Sequence, residues 1–206
     1  QDRFKAIDLG VAQDRRRHFT VAIRDADVPP GIFDVKRVEE SRPVLWPLRD
    51  LGETDPNSTF NYPSTHQPQN KERIAWLFGE GWTEDEIEDE EYNFGTKDKP
   101  FSYNLINHRR PRCHQNGHNY PAVYGRMFPN LPAPTMTCGF GSTGQGRFVH
   151  PNYPRTLTPH EVARLQTFPD YFVFSEVIKR RAMHLLIGNA VPPMVAEHIS
   201  RIMLST

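Results

Sequence analysis

The chain has 206 residues, with 25 basic and 25 acidic side chains and 37% hydrophobic residues. This length is enough for one hydrophobic core, or for one core with a small appendage. The zero net charge gives no whole-chain sign of a nucleic-acid binder. Two cysteines are too few for a disulfide framework and favour a reduced, intracellular compartment, and no apolar stretch is long enough to span a membrane.

The charges are distributed unevenly along the chain. Residues 84–91 hold seven acids in eight positions. Without them, 25 bases face 18 acids, so the remainder carries a charge of about +7. Basic clusters occur at 15–17 and 109–112. Each of these clusters taken alone is as readily a solvated face as a binding site.

The first predicted element is a buried strand at 19–23, an apolar run rich in β-forming residues. Alternate residues of an extended segment point to the same side. We therefore predict that Arg15 and Arg17, just before this strand, project together, with Arg16 and His18 on the other side. The two guanidinium groups could then bind a phosphate or a base carbonyl.

Residues 26–135 have frequent prolines, asparagines and glycines and weak hydrophobic periodicity. This composition predicts a small, irregular, loop-rich domain. Residues 71–78 predict a short helix that ends at Gly79, and Thr83 with Glu86 could form the capping box of another. At the end of this stretch, the prolines of 132–137 predict a rigid extended loop.

Residues 139–144 match the pattern Gly-x-Gly-x-x-Gly. A dinucleotide site would need a strand before this pattern and a helix after it. No helix is predicted to follow, so we reject the nucleotide interpretation. The sequence instead predicts a flexible glycine loop that ends in Arg147 and His150 and could lie near a sugar-phosphate backbone.

Four residues could be assembled into a zinc site: Cys113, His114, His118 and Cys138. Their spacing matches no ordinary zinc module. A free cysteine and surface histidines are the favoured interpretation, and we expect no metal.

Two helices are predicted near the end of the chain. Thr158, with Pro159 next and Glu161 at the third position, is a strong helix start. Val162, Leu165 and Gln166 then share one face, and Phe168-Pro169 ends the helix. The last helix begins at Pro192-Pro193 and carries an apolar stripe at helical spacing: Val195, Ile199, Ile202 and Met203.

In this order the motifs resemble the last conserved blocks of DNA (cytosine-5) methyltransferases. Gln13-x-Arg15-x-Arg17 with its strand resembles the eighth block, although Ala12 stands where the family often has proline. Residues 155–170 resemble the ninth block, and 188–193 the tenth. The irregular middle lies where the family keeps its variable target-recognition domain.

This resemblance implies an α/β fold. The chain would be the C-terminal part of a Rossmann-like, S-adenosylmethionine-dependent methyltransferase domain with an inserted small, irregular, mostly β and loop target-recognition domain. Residues 1–30 would be a strand segment of the catalytic domain, 31–149 the recognition domain, and 150–206 the ninth block and the return to the catalytic domain.

The resemblance also shows what this sequence lacks. The family uses a cysteine after proline as its nucleophile, a Glu-Asn-Val segment, and a Phe-x-Gly-x-Gly loop for the methyl donor. Cys113 follows Arg112, Cys138 follows Thr137, and no Glu-Asn-Val occurs. We therefore expect this chain alone to be inactive. The N-terminal half would come from a second subunit, or from the same chain before trimming, since the first residue is glutamine.

The resemblance implies roles for individual residues in a complete enzyme that flips a cytosine out of duplex DNA. The expected catalytic residues are Arg17, Arg15 and Gln13: Arg17 would contact the flipped cytosine, and Arg15 would brace it or bind phosphate. The expected DNA-binding residues are Arg126, Thr135, Thr137 and Arg147. The expected donor-pocket residues are Gly188, Asn189, Ala190 and Val191. Structural roles are expected for Arg155, Glu161, Arg164 and Gln166.

The implied cofactor is S-adenosylmethionine, and the implied partners are duplex DNA and the missing catalytic half, with no membrane. The expected location is a prokaryotic cytoplasm, associated with the nucleoid. A role in restriction or phage defence is expected only by analogy with other members of the family.

Two other functions remain open. A close relative of these enzymes methylates tRNA with the same blocks, and methyl transfer to duplex DNA compared with tRNA would discriminate the two. The chain could instead be a non-catalytic DNA-targeting subunit, which would bind DNA with steep salt dependence and transfer no methyl group with any partner.

Overall fold

The computed structural model describes residues 4–18, 38, 40–78, 123–174, 176–177 and 179–204. Its strands are β1 (Phe4–Lys5), β2 (Gln13–Asp14), β3 (Arg16–Arg17) and β4 (Ala133–Pro134). Its α-helices are α1 (Pro68–Trp76), α2 (Pro159–Leu165), α3 (Arg180–Asn189) and α4 (Pro193–Leu204), with 3-10 helices at Ala6–Leu9, Trp46–Leu48 and Thr143–Gln145. The predicted strand at 19–23, the capping box at Thr83, the basic cluster at 109–112 and the zinc candidates Cys113, His114 and His118 lie outside the described residues.

The segment 13–17 is bent rather than continuously extended. β1 pairs with β3 in antiparallel fashion, and β2 pairs with β4 in parallel. Between β2 and β3, the Arg15 amide donates to the Gln13 carbonyl oxygen at 3.0 Å. This turn lets the two short strands join different partners, and it brings the start of the chain beside the loop that follows β4.

The largest hydrophobic cluster draws on all three predicted segments of the chain. It includes Ala12, Val44 and Leu48 from before α1, Ala133 from β4, and Leu157 beside α2, each at most 7% exposed. Residues of β4, α2 and α3 thus share this largest cluster, whereas α1 and α4 pack in two smaller ones. The boundaries predicted for the three domains stay predictions.

Helix α2 begins as the sequence predicts. The Thr158 hydroxyl accepts a hydrogen bond from the Glu161 amide at 3.1 Å, and Glu161 Oε2 accepts from the Thr158 amide at 2.8 Å. This reciprocal pair satisfies two amides that a helix start leaves unpaired. The helix ends at Leu165, before Phe168, because Thr167 adopts a left-handed φ of 63°.

Helix α1 begins earlier than predicted. It starts at Pro68 rather than at 71, because proline at the first helical position needs no amide partner and already has a helical φ. Its Ile74 is buried, and Leu77 follows the last helical residue.

Helix α4 begins at Pro193, as predicted, and its apolar stripe is confirmed in part. Val195 and Ile199 pack with Ala6 and Val11 near the start of the chain. Met203 is 39% exposed, and the Ile202 side chain lies outside the described structure. Within the described ranges, no helix is both long and apolar enough to cross a membrane.

Candidate functional site

A network of three buried side chains connects the loop after β4 with the C-terminal end of α3. Gln13 and Gln166 are fully buried, and Arg15 is 3% exposed. Both backbone polar groups of Met136, itself fully buried, are bound by this network. The loop and the helix end are therefore fixed relative to each other by side chains rather than by a shared strand.

Arg15 provides one connection. Its Nη1 donates to the Met136 carbonyl oxygen at 2.6 Å. Its Nη2 donates to the carbonyl oxygens of Gly188 at 3.2 Å and Ala190 at 3.3 Å. One guanidinium group thus holds backbone on both sides of the network.

Gln13 and Gln166 provide the second connection. The Met136 amide donates to Gln13 Oε1, and Gln13 Nε2 donates to Gln166 Oε1, each at 3.0 Å. Gln166 Nε2 in turn donates to the Ile187 carbonyl oxygen at 2.9 Å. Since a carboxamide both donates and accepts, two glutamines in series can relay this connection without burying a charge.

The network supplies hydrogen-bond donors to the C-terminal end of α3. The last carbonyl groups of a helix have no partner within the helix, and a cation is favourable beside them. Burial, followed by repulsion from Arg17, lowers the pKa of Arg15 to about 10. The guanidinium therefore stays charged at neutral pH, and its bonds to carbonyl groups are of the stronger, charge-assisted kind.

The prediction that Arg15 and Arg17 project together is wrong. Arg15 is turned inward, whereas Arg16 and Arg17 are exposed on β3. Arg17 Nη1 donates to the Arg16 carbonyl oxygen at 2.8 Å, in a hydrogen bond that is itself exposed. The bend at Arg15 causes the difference, because it breaks the alternation that an extended strand would impose. Arg15 and Gln13 bind groups of this chain, and the catalytic roles expected of Gln13, Arg15 and Arg17 stay predictions.

The four predicted donor-pocket residues separate into two kinds. A Cβ atom on Gly188 would lie 2.3 Å from the Cys138 amide nitrogen and 2.5 Å from the Thr137 carbonyl carbon. Gly188 is therefore closely packed against this backbone, and a contact of its own backbone with the methyl donor stays a prediction. Asn189 is exposed, Ala190 is half-buried, and Val191 is 49% exposed. These three form the accessible turn after α3.

Three of the four predicted DNA-binding residues donate side-chain hydrogen bonds within the chain. Arg126 Nε donates to the Pro151 carbonyl oxygen at 2.6 Å, and Arg147 Nη1 donates to the Arg126 carbonyl oxygen at 2.9 Å. The Thr135 hydroxyl donates its proton to the Asp14 carbonyl oxygen at 2.9 Å. These contacts support structural roles. Thr137 is exposed and its hydroxyl accepts from the Gly139 amide, so its own proton is available to a phosphate.

The glycine loop is packed, which corrects the expectation of a flexible loop. Its Phe140 is fully buried and Thr143 is 2% exposed. A Cβ on Gly141 would lie 2.3 Å from His184 Cε1 and 2.5 Å from Ser64 Oγ. The next helix is the 3-10 helix Thr143–Gln145, and the next described α-helix, α2, begins only at Pro159, in line with the rejected nucleotide interpretation.

His150 is 2% exposed and lies in a charged cluster, and the proximity of this loop to a nucleic-acid backbone stays a prediction. Its Nδ1 accepts from the amides of Asn152 at 2.9 Å and Tyr153 at 3.2 Å. The neutral ring therefore carries its proton on Nε2, which faces Glu161 Oε1 at 3.5 Å. Burial lowers the pKa of His150 to about 4, against the attraction of Glu161 and with repulsion from Arg155.

Arg155 completes this cluster beside α2. It holds Glu161 through two parallel hydrogen bonds, of 2.8 Å from Nη1 and 2.7 Å from Nη2. Burial alone would raise the pKa of Glu161, but the hydrogen bonds from Arg155 and the nearby His150 lower it below its usual range. Such contacts support the structural roles that the resemblance implies for both residues.

Arg164 connects α2 with the segment after the 3-10 helix at 46–48. It donates to Asp50 at 2.6 Å, to Asp170 at 2.6 and 2.7 Å, and to the Pro47 carbonyl oxygen at 3.2 Å. Burial lowers the pKa of Arg164, but its bonds to Asp170 and Asp50 outweigh this and raise it. The ninth-block helix is thus joined to residues of the predicted recognition segment.

Sequence reasoning missed Met136 and His184. Met136 contributes through its backbone, for which a sequence carries no signal. His184 lies against Phe140 with 4.1 Å between ring centroids, and its Nε2 is buried without a hydrogen-bond partner. Burial, followed by repulsion from Arg180, lowers the pKa of His184 to about 4. The sequence signal for His184 is its place between two apolar residues, Met183 and Ile187, which are both buried in the structure.

The described residues contain no group of three or more side chains suited to a metal ion, and Cys138 is exposed with a free thiol. The zinc hypothesis needs Cys113, His114 and His118, which lie outside the described ranges, so it stays untested.

The fold is similar to that of a solved DNA modification methyltransferase. A structure described as a DNA modification methyltransferase encoded within a prophage of E. coli matches with a TM-score of 0.52. The match covers 99% of this chain and 59% of that one, at 24% sequence identity. The family model for C-5 cytosine-specific DNA methylases matches residues 2–205, and the chain therefore belongs to this family.

Curated relatives agree with this assignment. The chain is 43% identical over 185 residues to the type II methyltransferase M1.BsuMI of Bacillus subtilis, covering 89% of this chain and 38% of that protein. It is 31% identical over 207 residues to the type II methyltransferase M.BbvI of Brevibacillus brevis, covering 98% and 48%. The chain thus spans less than half the length of either relative. Methylases of this family use S-adenosylmethionine and act on duplex DNA.

Proposed function

We propose that this chain is the half of a DNA cytosine-5 methyltransferase that recognises the target sequence and completes the pocket for S-adenosylmethionine. The complete enzyme would transfer a methyl group to C5 of a cytosine flipped out of a specific duplex sequence. The nucleophilic cysteine would come from an N-terminal half, on a second subunit or on a longer form of the same chain.

One observation carries this proposal. The chain matches its family from residue 2 to residue 205, yet spans 38% and 48% of two full relatives. Its sequence has neither a cysteine after proline nor a Glu-Asn-Val segment. A chain with the family's last blocks and without its chemistry-bearing blocks is best explained as part of the enzyme.

The described geometry supports a place for the methyl donor at the turn after α3. Asn189 offers an exposed amide that can both donate and accept hydrogen bonds, and exposed Val191 offers apolar surface two residues later. These residues suit one wall of a pocket for S-adenosylmethionine, which has polar and apolar parts. The donor would supply the methyl group, and the turn would hold and orient it.

The nucleic-acid side of the proposal rests on Arg17 and Thr137. Arg17 is exposed at the end of the bent segment, and a guanidinium group can bind a base carbonyl or a phosphate. Thr137 is exposed with an available hydroxyl proton beside the Arg15 network. Hydroxyl contacts of this kind position a protein on a nucleic-acid backbone, and base contacts specify the sequence.

The proposal is tested by measuring methyl transfer with and without the missing half. The chain should be inactive alone and active when assembled with the polypeptide that carries the proline-cysteine nucleophile, with duplex DNA preferred to tRNA. Preference for tRNA would support the RNA alternative. DNA binding with no transfer by the assembled protein would support the non-catalytic subunit.

Arg17→Ala gives a sharper test in the assembled enzyme, with Arg16→Ala as the matched control on the same strand. If Arg17 contacts the flipped cytosine, its loss should lower the rate constant for methylation at least about a hundredfold, while DNA affinity falls less than about tenfold. Arg16→Ala should change both values only slightly. Equal losses of rate and affinity in Arg17→Ala would reduce Arg17 to a phosphate contact.

A further inference from the structure

We propose that Arg15 is a positioning residue that couples the loop 135–138 to the turn 188–191. If the proposed function holds, these two segments face nucleic acid and methyl donor, respectively. Arg15 would then make donor binding and DNA binding support each other without touching either ligand.

The guanidinium group of Arg15 reaches both segments. It is almost fully buried, and it spans from the Met136 carbonyl oxygen to those of Gly188 and Ala190. A relative movement of the two segments by about 1 Å would lengthen these hydrogen bonds, now 2.6–3.3 Å, beyond the usual range. A buried carbonyl group without a hydrogen-bond partner costs free energy. We therefore expect the two segments to move together.

The same two segments are also in direct contact. Gly188 lies so close to the backbone of Thr137 and Cys138 that even a methyl group has no room between them. The relay through Gln13 and Gln166 adds a second bonded path from Met136 to the end of α3. Contact and hydrogen bonds therefore join the same two pieces of backbone.

Each of the two segments carries an exposed residue next to its buried contacts. Thr137 is exposed immediately after Met136, and Asn189 is exposed immediately after Gly188. Each exposed residue is thus one position from a backbone group that the Arg15 network holds. A ligand that orders either residue also orders the buried contacts, so the second ligand meets a site that is already ordered.

The test compares Arg15→Met with Arg16→Met in the assembled enzyme, since Arg16 is the neighbouring exposed arginine. Amide hydrogen exchange should accelerate at least about tenfold in both 135–138 and 189–191 for Arg15→Met, because charge-assisted bonds are lost at both ends. Arg16→Met should leave both segments unchanged. Acceleration in only one segment, or in neither, would overturn the proposal.

A second measurement tests the functional consequence. The affinity for S-adenosylhomocysteine is measured with and without the duplex that the wild-type enzyme methylates. DNA should tighten it about fivefold or more in the wild type and in Arg16→Met, and this factor should fall to about one in Arg15→Met. A factor that is absent in the wild type, or unchanged in the variant, overturns the coupling.

Arg15→Lys serves if Arg15→Met does not fold. Lysine keeps the charge but lacks the planar fork, so it can hold one segment and not both. We expect the coupling factor to fall towards one although the protein stays folded, and full retention of the factor would overturn the proposal. If the wild-type enzyme methylates nothing, the proposed function fails, but the exchange experiment still decides whether Arg15 joins the two segments.

Discussion

At the residue scale, identical side chains have different roles according to their partners. Arg15 and Arg17 belong to one short motif, yet one is buried against backbone carbonyl groups and the other is exposed. His150 is buried as a neutral ring that accepts two amide hydrogen bonds. In each case the environment decides what the side chain can do, because burial penalises the charged form unless partners compensate.

His150 predicts how stability depends on pH. Its pKa is lowered to about 4 in the folded chain, so the unfolded state binds more protons below pH 6.5. Stability should therefore fall as pH decreases from about 6.5 towards 4, by up to about 3 kcal/mol from this residue. His150→Asn keeps an acceptor for the Asn152 amide and cannot titrate. Denaturant unfolding at several pH values should show a shallower fall for this variant, and an equal fall would contradict the assignment.

Gly188 predicts a steric limit at the end of α3. Gly188→Ala would place a methyl group 2.3 Å from the Cys138 amide nitrogen, and backbone on that side cannot give way cheaply. We expect a loss of roughly 1–3 kcal/mol or more in the free energy of unfolding. Gly52→Ala is the control, because nothing lies within 4 Å of the added Cβ. Equal effects of the two substitutions would show that the close contact is not rigid.

At the element scale, α2 connects the described parts of the molecule. Its seven residues are too few to be a stable helix alone. The capping box fixes its start, the Arg155–Glu161 pair holds its first turn, and Arg164 joins it to Asp50. Each of these contacts lies at one end of the helix, whereas Val162 and Leu165 bury its face in the core.

Thr158→Ala tests how much the cap contributes. The substitution removes the acceptor of the Glu161 amide, and loss of an N-cap side chain typically costs about 0.5–2 kcal/mol. Thermal or denaturant unfolding should show a loss in that range. Ser41→Ala, at an exposed position outside any helix, should change stability by less than about 0.5 kcal/mol. A neutral Thr158→Ala would mean that packing alone fixes the start of α2.

At the scale of the whole molecule, the predicted recognition segment contributes to the common core. Val44, Leu48, Met127 and Ala133 pack in the same cluster as Leu157. The residues that read DNA bases are therefore better sought away from these positions. Leu185 and Leu186 on α3 are exposed apolar residues, and under the proposed function the N-terminal half would cover them.

This arrangement predicts which exchange of segments will alter specificity. Replacing residues 79–122 by the corresponding segment of a relative keeps the core positions before and after it. The assembled chimera should stay folded and methylate a different duplex sequence, as read by methylation mapping of a random-sequence library. An unchanged target would place the base-reading residues elsewhere in the chain.

The sequence by itself determined the family, the order of its motifs, the start of α2 and the buried face of that helix. These properties depend on residues close together along the chain, where capping and periodicity act. Only the tertiary structure decided that Arg15 is buried and Arg17 exposed. The partners of Arg15 at Met136 and Gly188 lie 121 and 173 residues away, and such long-range contacts leave no local pattern. The same reason explains why His150 belongs to a buried cluster and Gly188 to a backbone contact.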